Sequence, residues 1–177
     1  PDVITYSATV SACARAWCWE GASGLLREMR HEGVRPSVVT YDAALTVLLW
    51  HSALHLWREV SMRSLEPNAI THGTVVSSCE KGGEWRWAFH CLLDMQREGT
   101  QPHVIGCNSA ITASGKGNQW RRGFELLKEM MLSNGKALEP DMISYSATIS
   151  ACDEGQQWGR SLELLAVARQ RGAAPNV

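Results

Sequence analysis

The sequence predicts an all-α chain, a solenoid of five helix-turn-helix units with no central core. Three observations lead there. Pro1, Pro36, Pro67, Pro102, Pro140 and Pro175 stand 35, 31, 35, 38 and 35 residues apart. All but the last, which lies close to the chain end, open the same pattern: a small or polar residue, then an aliphatic pair or near-pair. A fixed period of this size marks a repeat array, in which each unit buries its apolar face on its neighbours. Within the intervals, two stretches of apolar residues at helical spacing are parted by a short break. Finally, Trp19, Trp85, Trp120 and Trp158 each lie 18 residues after their proline, which fixes where the second stretch begins.

Unit 1 spans 1–35. Pro1-Asp2-Val3-Ile4-Thr5-Tyr6-Ser7 opens its first helix, and its second carries Ala22, Leu25, Leu26 and Met29 before Gly33. Unit 2 spans 36–66 and is four residues short. Placing the gap between Trp50 and His51 leaves no tryptophan at the standard place and almost no inter-helix turn, so shorter helices or a distorted hairpin are expected. Unit 3 spans 67–101. A first helix is expected from Ala69 to about Glu80, on Ile70, Val75, Val76 and Cys79, and Lys81-Gly82-Gly83 stops it. A second follows from about Glu84 to Arg97, with Trp85, Ala88, Phe89, Leu92, Leu93 and Met95. Unit 4 spans 102–139, and three extra residues around Ser133-Asn134-Gly135-Lys136 predict a longer terminal loop. Unit 5 spans 140–174 and opens on Pro140-Asp141-Met142-Ile143-Ser144-Tyr145-Ser146, while 175–177 start a sixth unit.

Equivalent positions carry equivalent chemistry. Ala22, Ala53, Ala88, Gly123 and Ser161 share one slot in the second helix, where a small residue lets two helices approach closely. The tryptophans, the leucine pairs Leu25-Leu26, Leu126-Leu127 and Leu164-Leu165, and Met29, Met95 and Met130 read as inter-unit core rather than as base-stacking platforms. Cys13, Cys79 and Cys152 fall 12 residues after their prolines, where Leu48 and Ser114 stand in the other units, so they read as packing residues. The six cysteines show no CxxC or CxxH spacing, which argues against a zinc site.

Of the 177 residues 45% are hydrophobic, enough to cover such an array, yet no apolar run reaches 18 residues, so no membrane span is expected. The net charge of −1 predicts only modest attraction to a polyanion. The chain begins without Met on a unit boundary and reads as an internal fragment, with any targeting peptide or catalytic domain outside it. It has no nucleophile elbow, P-loop, HExxH or deaminase zinc signature. Asp153-Glu154 and Glu80 with Glu84 read as helix-end acids, and the i, i+4 pair His51 and His55 has no evident third ligand. No catalysis, cofactor or small-molecule substrate is expected of this segment.

The period, the Gly33-Val34-Arg35-Pro36 junction and the Val-x-Thr-Tyr openings at Val3 and Val38 resemble the pentatricopeptide repeat family. So do Met29-Arg30-x-x-Gly33 and Lys116-x-Asn118, and the resemblance covers essentially the whole chain. The tetratricopeptide repeat, of similar period, expects tryptophan along its first helix, whereas here tryptophan begins the second. The resemblance implies a right-handed α-solenoid superhelix that binds single-stranded RNA, one base per unit. It also implies a mitochondrial or chloroplast location and a role in RNA processing, stability, editing or translation. A helical scaffold for a protein partner is the alternative, because fold does not fix function.

The resemblance further implies which residues touch RNA. Base selection falls to Ser7 with Ser37, Asp42 with Asn68, Gly73 with His103, Asn108 with Asp141, and Ser146 with Asn176. Asn108 with Asp141 resembles a uracil reader and Ser146 with Asn176 an adenine reader. The other three pairs match no defined base, which gives 5′-N-N-N-U-A-3′ with the protein N-terminus toward the RNA 5′ end. Ile4, Val39, Ile70, Ile105 and Ile143 would sandwich the bases, with ordinary helix packing as the alternative. Arg15, Lys81 and Lys116 would meet the phosphates, with Trp50 and Glu154 in that slot in the other two units. If each cation neutralised one phosphate, the salt slope would be roughly −2.

Overall fold

The computed structural model describes residues 2–62, 68–133 and 138–172. Those residues form five consecutive helix pairs. The first helices are α1 (Val3–Arg15), α3 (Val38–Leu45), α5 (Ala69–Lys81), α7 (Val104–Lys116) and α9 (Met142–Glu154). The second helices are α2 (Trp19–His31), α4 (Trp50–Met62), α6 (Trp85–Arg97), α8 (Trp120–Leu132) and α10 (Trp158–Gln170). Each first helix packs on the next first helix, α1 on α3, α3 on α5, α5 on α7 and α7 on α9. Each second helix packs on its own first helix, and α2, α4, α6 and α8 also pack on that of the following unit. The result is an all-α solenoid with the first helices as a continuous inner layer and the second helices outside.

Local chemistry sets the ends. Four first helices start on a side-chain cap that satisfies an otherwise orphaned N–H. Asp2 accepts from the Thr5 N–H at 2.8 Å, Ser37 from Thr40 at 3.3 Å, Asn68 from Thr71 at 2.9 Å and Asp141 from Ser144 at 2.8 Å. At Ser37 and Asp141 the hydroxyl three residues on returns the bond, completing a capping box. Four of the five inter-helix turns use one left-handed residue each, Trp17, Gly83, Asn118 and Gln156, with φ between 53° and 72°, and the turn of unit 2 uses none. Beyond it an N–H reaches back to the carbonyl five residues earlier, as from Glu84 to Cys79 at 2.9 Å.

Unit 2 corrects the expected position of its gap. Trp50 opens α4 just as the other tryptophans open their helices, so it is their counterpart. The missing residues come out of the first helix: α3 has eight residues where the other helices have 13. Leu48 therefore sits in the turn, buried, instead of on the first helix. The expected longer loop of unit 4 falls mainly at 134–137, outside the described residues.

The core lies between the layers. Leu26, Leu92, Leu127, Met29, Met95 and Met130 recur there, all but inaccessible to solvent. Each such side chain contributes about 1.5–3 kcal/mol relative to an exposed one. Ala22, Ala53, Ala88 and Gly123 are buried in the small-residue slot, and a Cβ on Gly123 would come within 2.5 Å of Ser114 Oγ. Cys79 and Cys152 are buried and Cys13 half-buried.

The tryptophans are not core in the same sense. Trp50, Trp85 and Trp120 are half-buried, each seated against the glycine that ends the next unit's first helix. A Cβ on Gly82, Gly117 or Gly155 would come within 2.2, 2.1 or 2.2 Å of the indole. Trp19 and Trp158 are exposed. Among the described residues, no helix is long and apolar enough to cross a membrane.

Candidate nucleic-acid interface

Ile4, Val39, Ile70, Ile105 and Ile143 are each the second residue of a first helix. All five are between 61% and 77% exposed. Ordinary helix packing does not account for them, since packing would bury them. They form a row of stiff aliphatic side chains along one edge of the inner layer, one per unit. Ile70 and Ile105 line the same groove, between α5 and α7.

Beside this row lie the selector positions, and a third residue joins them. Asn108 is 7% exposed, and its Nδ2 donates to Asp141 Oδ1 at 3.1 Å. The Ser144 hydroxyl donates to Asn108 Oδ1 at 2.6 Å and lies 2.9 Å from Asp141 Oδ1. At the first joint Ser7 Oγ meets Thr40 Oγ1 at 2.6 Å, and Thr40 Oγ1 meets Ser37 Oγ at 3.0 Å. At the second, Thr71 donates to Asp42 Oδ1 at 2.6 Å and lies 3.2 Å from Asn68 Oδ1. Three joints thus share a relay from a first-helix side chain, through a hydroxyl of the next unit, to that unit's N-cap.

Thr40, Thr71 and Ser144 were missed in the sequence. Each is the hydroxyl residue three positions after its N-cap, and at Thr40 and Ser144 that hydroxyl completes a capping box. Gly73 and His103 form no such relay. Gly106 takes the hydroxyl's place, and His103 caps α7 without a side-chain bond. Ser146 is half-buried, and its counterpart Asn176 lies outside the described residues.

The relay fixes charge as well as geometry. Burial works to raise the Asp141 pKa, but the Ser144 and Ile143 N–H groups, the Asn108 amide and the Ser144 hydroxyl hold it below the ordinary 3.8. The carboxylate is therefore ionised at neutral pH and can only accept. Asn108 must point Nδ2 at Asp141 and Oδ1 at Ser144. One amide N–H and one carbonyl lone pair remain for a ligand, in a fixed order.

The cations stand elsewhere. Arg15, Lys81 and Lys116 are the last residues of α1, α5 and α7, about 17 Å along the helix axis from the aliphatic row. Lys116 Nζ is held by Glu80 Oε1 and by the Glu80 carbonyl, both at 3.1 Å. Lys81 lies 5.4 Å over the Trp17 ring. Trp50, opening α4, does not occupy the cation slot, whereas Glu154 ends α9 within it. A groove of about 640 Å³ between α5 and α7 connects the two ends, with Ile70 and Ile105 at one and Lys81 at the other. Among the described residues, no three His, Cys, Asp or Glu side chains cluster as a metal site would need.

Known repeats match this chain segment by segment. The PPR repeat family matches residues 1–49, the PPR repeat residues 70–100 and the pentatricopeptide repeat domain residues 90–155. The chain belongs to the pentatricopeptide repeat family. A chloroplastic pentatricopeptide repeat-containing protein of Arabidopsis thaliana is 32% identical over 48% of the chain and 9% of its own length. A second, also chloroplastic and from the same plant, is 37% identical over 28% of the chain and 6% of its own length. The chain thus spans less than a tenth of either curated relative.

Among solved structures, the maize pentatricopeptide repeat protein PPR10 has a TM-score of 0.82 at 17% identity, over 99% of this chain and 25% of its own. PPR10 in complex with an 18-nt psaJ RNA element has a TM-score of 0.75 at 27% identity, over 93% and 24%. The PPR domain of Arabidopsis thaliana protein-only RNase P 1 in complex with tRNA has a TM-score of 0.78 at 17% identity, over 94% and 89%.

Proposed function

We propose that this pentatricopeptide array binds single-stranded RNA and reads uracil at its fourth unit. The observation that carries the reading is the locked Asn108 amide beside the exposed Ile105 and Ile143. Uracil offers an N3–H donor next to the O4 acceptor. Cytosine offers the same two positions with the roles exchanged. An amide that could turn over would accept both, but a turned Asn108 would set Oδ1 against the Asp141 carboxylate. The crystallised complexes of PPR10 with RNA and of the RNase P 1 repeat domain with tRNA support RNA as the ligand class.

The array supplies recognition rather than chemistry. A repeat array can also be one part of an enzyme, as a PPR domain is in protein-only RNase P 1. The proposed setting is an organelle, mitochondrion or chloroplast, where such binding serves transcript processing, stability, editing or translation. The chloroplastic curated relatives support the latter location.

Binding of a labelled single-stranded RNA pool at two salt concentrations, with Asn108→Ala beside the unaltered chain, tests the proposal. Enrichment of U-A is expected, and the substitution should weaken U-containing RNA about tenfold and flatten the preference. With Lys116 held by Glu80, two cations remain for phosphate and the expected salt slope is about −1.4. A folded chain that binds no RNA at low salt overturns the reading in favour of a protein partner.

A further inference from the structure

The joint between units 3 and 4 lacks both side chains that fill the other joints. Gly73 stands where Ser7, Asp42, Asn108 and Ser146 stand, and Gly106 where Thr40, Thr71 and Ser144 stand. The two glycines face each other: a Cβ on Gly106 would lie 4.0 Å from the Gly73 Cα, and a Cβ on Gly73 would meet nothing within 4 Å. The groove between α5 and α7 is correspondingly open, at about 640 Å³. The groove between α7 and α9, the joint where Asn108 and Ser144 supply the two side chains, holds about 320 Å³. A volume of the larger size belongs to the range that accommodates a small organic ligand.

Its walls offer area but little directed hydrogen bonding. The Thr74 hydroxyl donates to the Ile70 carbonyl at 2.9 Å, and Ser78 to the Thr74 carbonyl at 3.0 Å. Ser77 Oγ is paired with Ser109 Oγ at 3.1 Å. The side-chain polarity that remains is at the rim, in Lys81 and His103. The exposed faces of Ile70 and Ile105 are the apolar flanks.

We propose that this groove is a purine pocket that senses ring size and ignores the hydrogen-bonding edge, accepting adenine and guanine alike. The inference rests on the RNA reading above and gives the unit without a selector a task of its own. Van der Waals gain between two aliphatic walls grows with the ring area placed there, and a void left beside a small ring forfeits those contacts. A bicyclic base fills the space better than a monocyclic one. With no side-chain amide or carboxylate facing the ring, adenine and guanine present equivalent surfaces.

Anisotropy titrations of the 177-residue chain test this with RNAs that differ only at the nucleotide 5′ to the U: A, G, C, U or an abasic site. Adenine and guanine should bind alike and several-fold tighter than either pyrimidine. The abasic RNA should be about 5- to 100-fold weaker than the purines. Gly73→Leu, which places a side chain in open space, should bring all five RNAs to the abasic level while the neighbouring U preference persists. Gly73→Ala, the milder change, should reduce the purine advantage without endangering the fold. A pyrimidine preference overturns the proposal, as does an adenine-to-guanine difference larger than the purine-to-pyrimidine gap, or Gly73→Leu that leaves the base dependence intact. In those cases the U preference at Asn108 remains and the RNA reading stands. A chain that binds none of the five overturns both.

Discussion

Asp141→Asn separates the orientation of Asn108 from every other contribution of this joint. An asparagine caps a helix as well as an aspartate does, so α9 keeps its start. What changes is the acceptor-only character of position 141, because an amide can turn to donate or accept. In the unaltered chain, turning Asn108 over costs the charge-assisted bond to Asp141 at 3.1 Å, whereas the Ser144 hydroxyl can exchange donating for accepting. Asp141 is solvent-exposed, so the lower part of the range for a charged partner applies, about 1.5–2 kcal/mol. The substitution removes this penalty, and the U-to-C affinity ratio should fall about 10- to 30-fold. Competition between two RNAs differing only in that base reads the ratio, in which any general gain from removing a negative charge cancels. A thermal melt by circular dichroism checks the cap. The carboxyl's folded pKa is depressed, so its ionised contribution is present above the unfolded value near 3.8 and is lost only as pH falls through the lower folded value. The unaltered ratio should therefore be flat down to about pH 5. A variant that keeps its U-to-C ratio within about twofold, while Asn108→Ala abolishes it, would show that Asp141 does not set the amide and refute the reasoning.

Other features make further predictions. Glu154→Lys places a cation in the one slot that now holds an acid, and should raise RNA affinity at low salt and steepen the salt slope by about 0.7, read from titrations at three salt concentrations. Gly117→Val forces the Trp85 indole out of its seat, because a Cβ there would come within 2.1 Å of the ring; a loss of about 1–3 kcal/mol in urea unfolding is expected, with Trp85 fluorescence shifted toward that of exposed indole. Tyr6 and Tyr145 occupy the same slot with opposite outcomes. The Tyr6 hydroxyl donates to Glu28 Oε1 at 3.0 Å, whereas the buried Tyr145 hydroxyl has no partner among the described residues. Tyr145→Phe should therefore be neutral or stabilising by up to about 1 kcal/mol, and Tyr6→Phe destabilising by about 1 kcal/mol, both read from the same unfolding curves.

What the sequence made legible follows from what repeats. Proline, tryptophan and methionine recur at fixed offsets because each unit solves the same packing problem, so the helix pairs could be placed before any geometry was known. The error in unit 2 came from anchoring the gap to the proline. Trp50 is fixed by the glycine it covers, Gly82 of the next unit, so the second helix keeps its start and α3 gives up length. That constraint acts between units and is invisible to a count within one. The turns show the same limit: Trp17 and Gln156 take left-handed backbone where a glycine signal is missing, since the bonds from Cys18 to the Cys13 carbonyl and from Gln157 to the Cys152 carbonyl require it.

The candidate site shows a second kind of limit. The family resemblance pointed to Asn108 and Asp141, but chemistry at this joint involves three side chains, and the third belongs to the capping box of the following helix. Ser144 looked like helix-start grammar, and it is; the same hydroxyl also reaches Asn108. A residue that closes a helix cap is held by the backbone before any ligand arrives. Borrowing it to orient a selector adds precision without adding a mobile part. At the joint between α5 and α7 the hydroxyl is replaced by Gly106, the cap residue His103 makes no side-chain bond, the first-helix position is Gly73, and the groove is open. At the three joints with a relay, the first-helix side chain is tied to the start of the next unit's first helix, so substitutions at that hydroxyl should move helix stability and, on the proposed reading, base preference together.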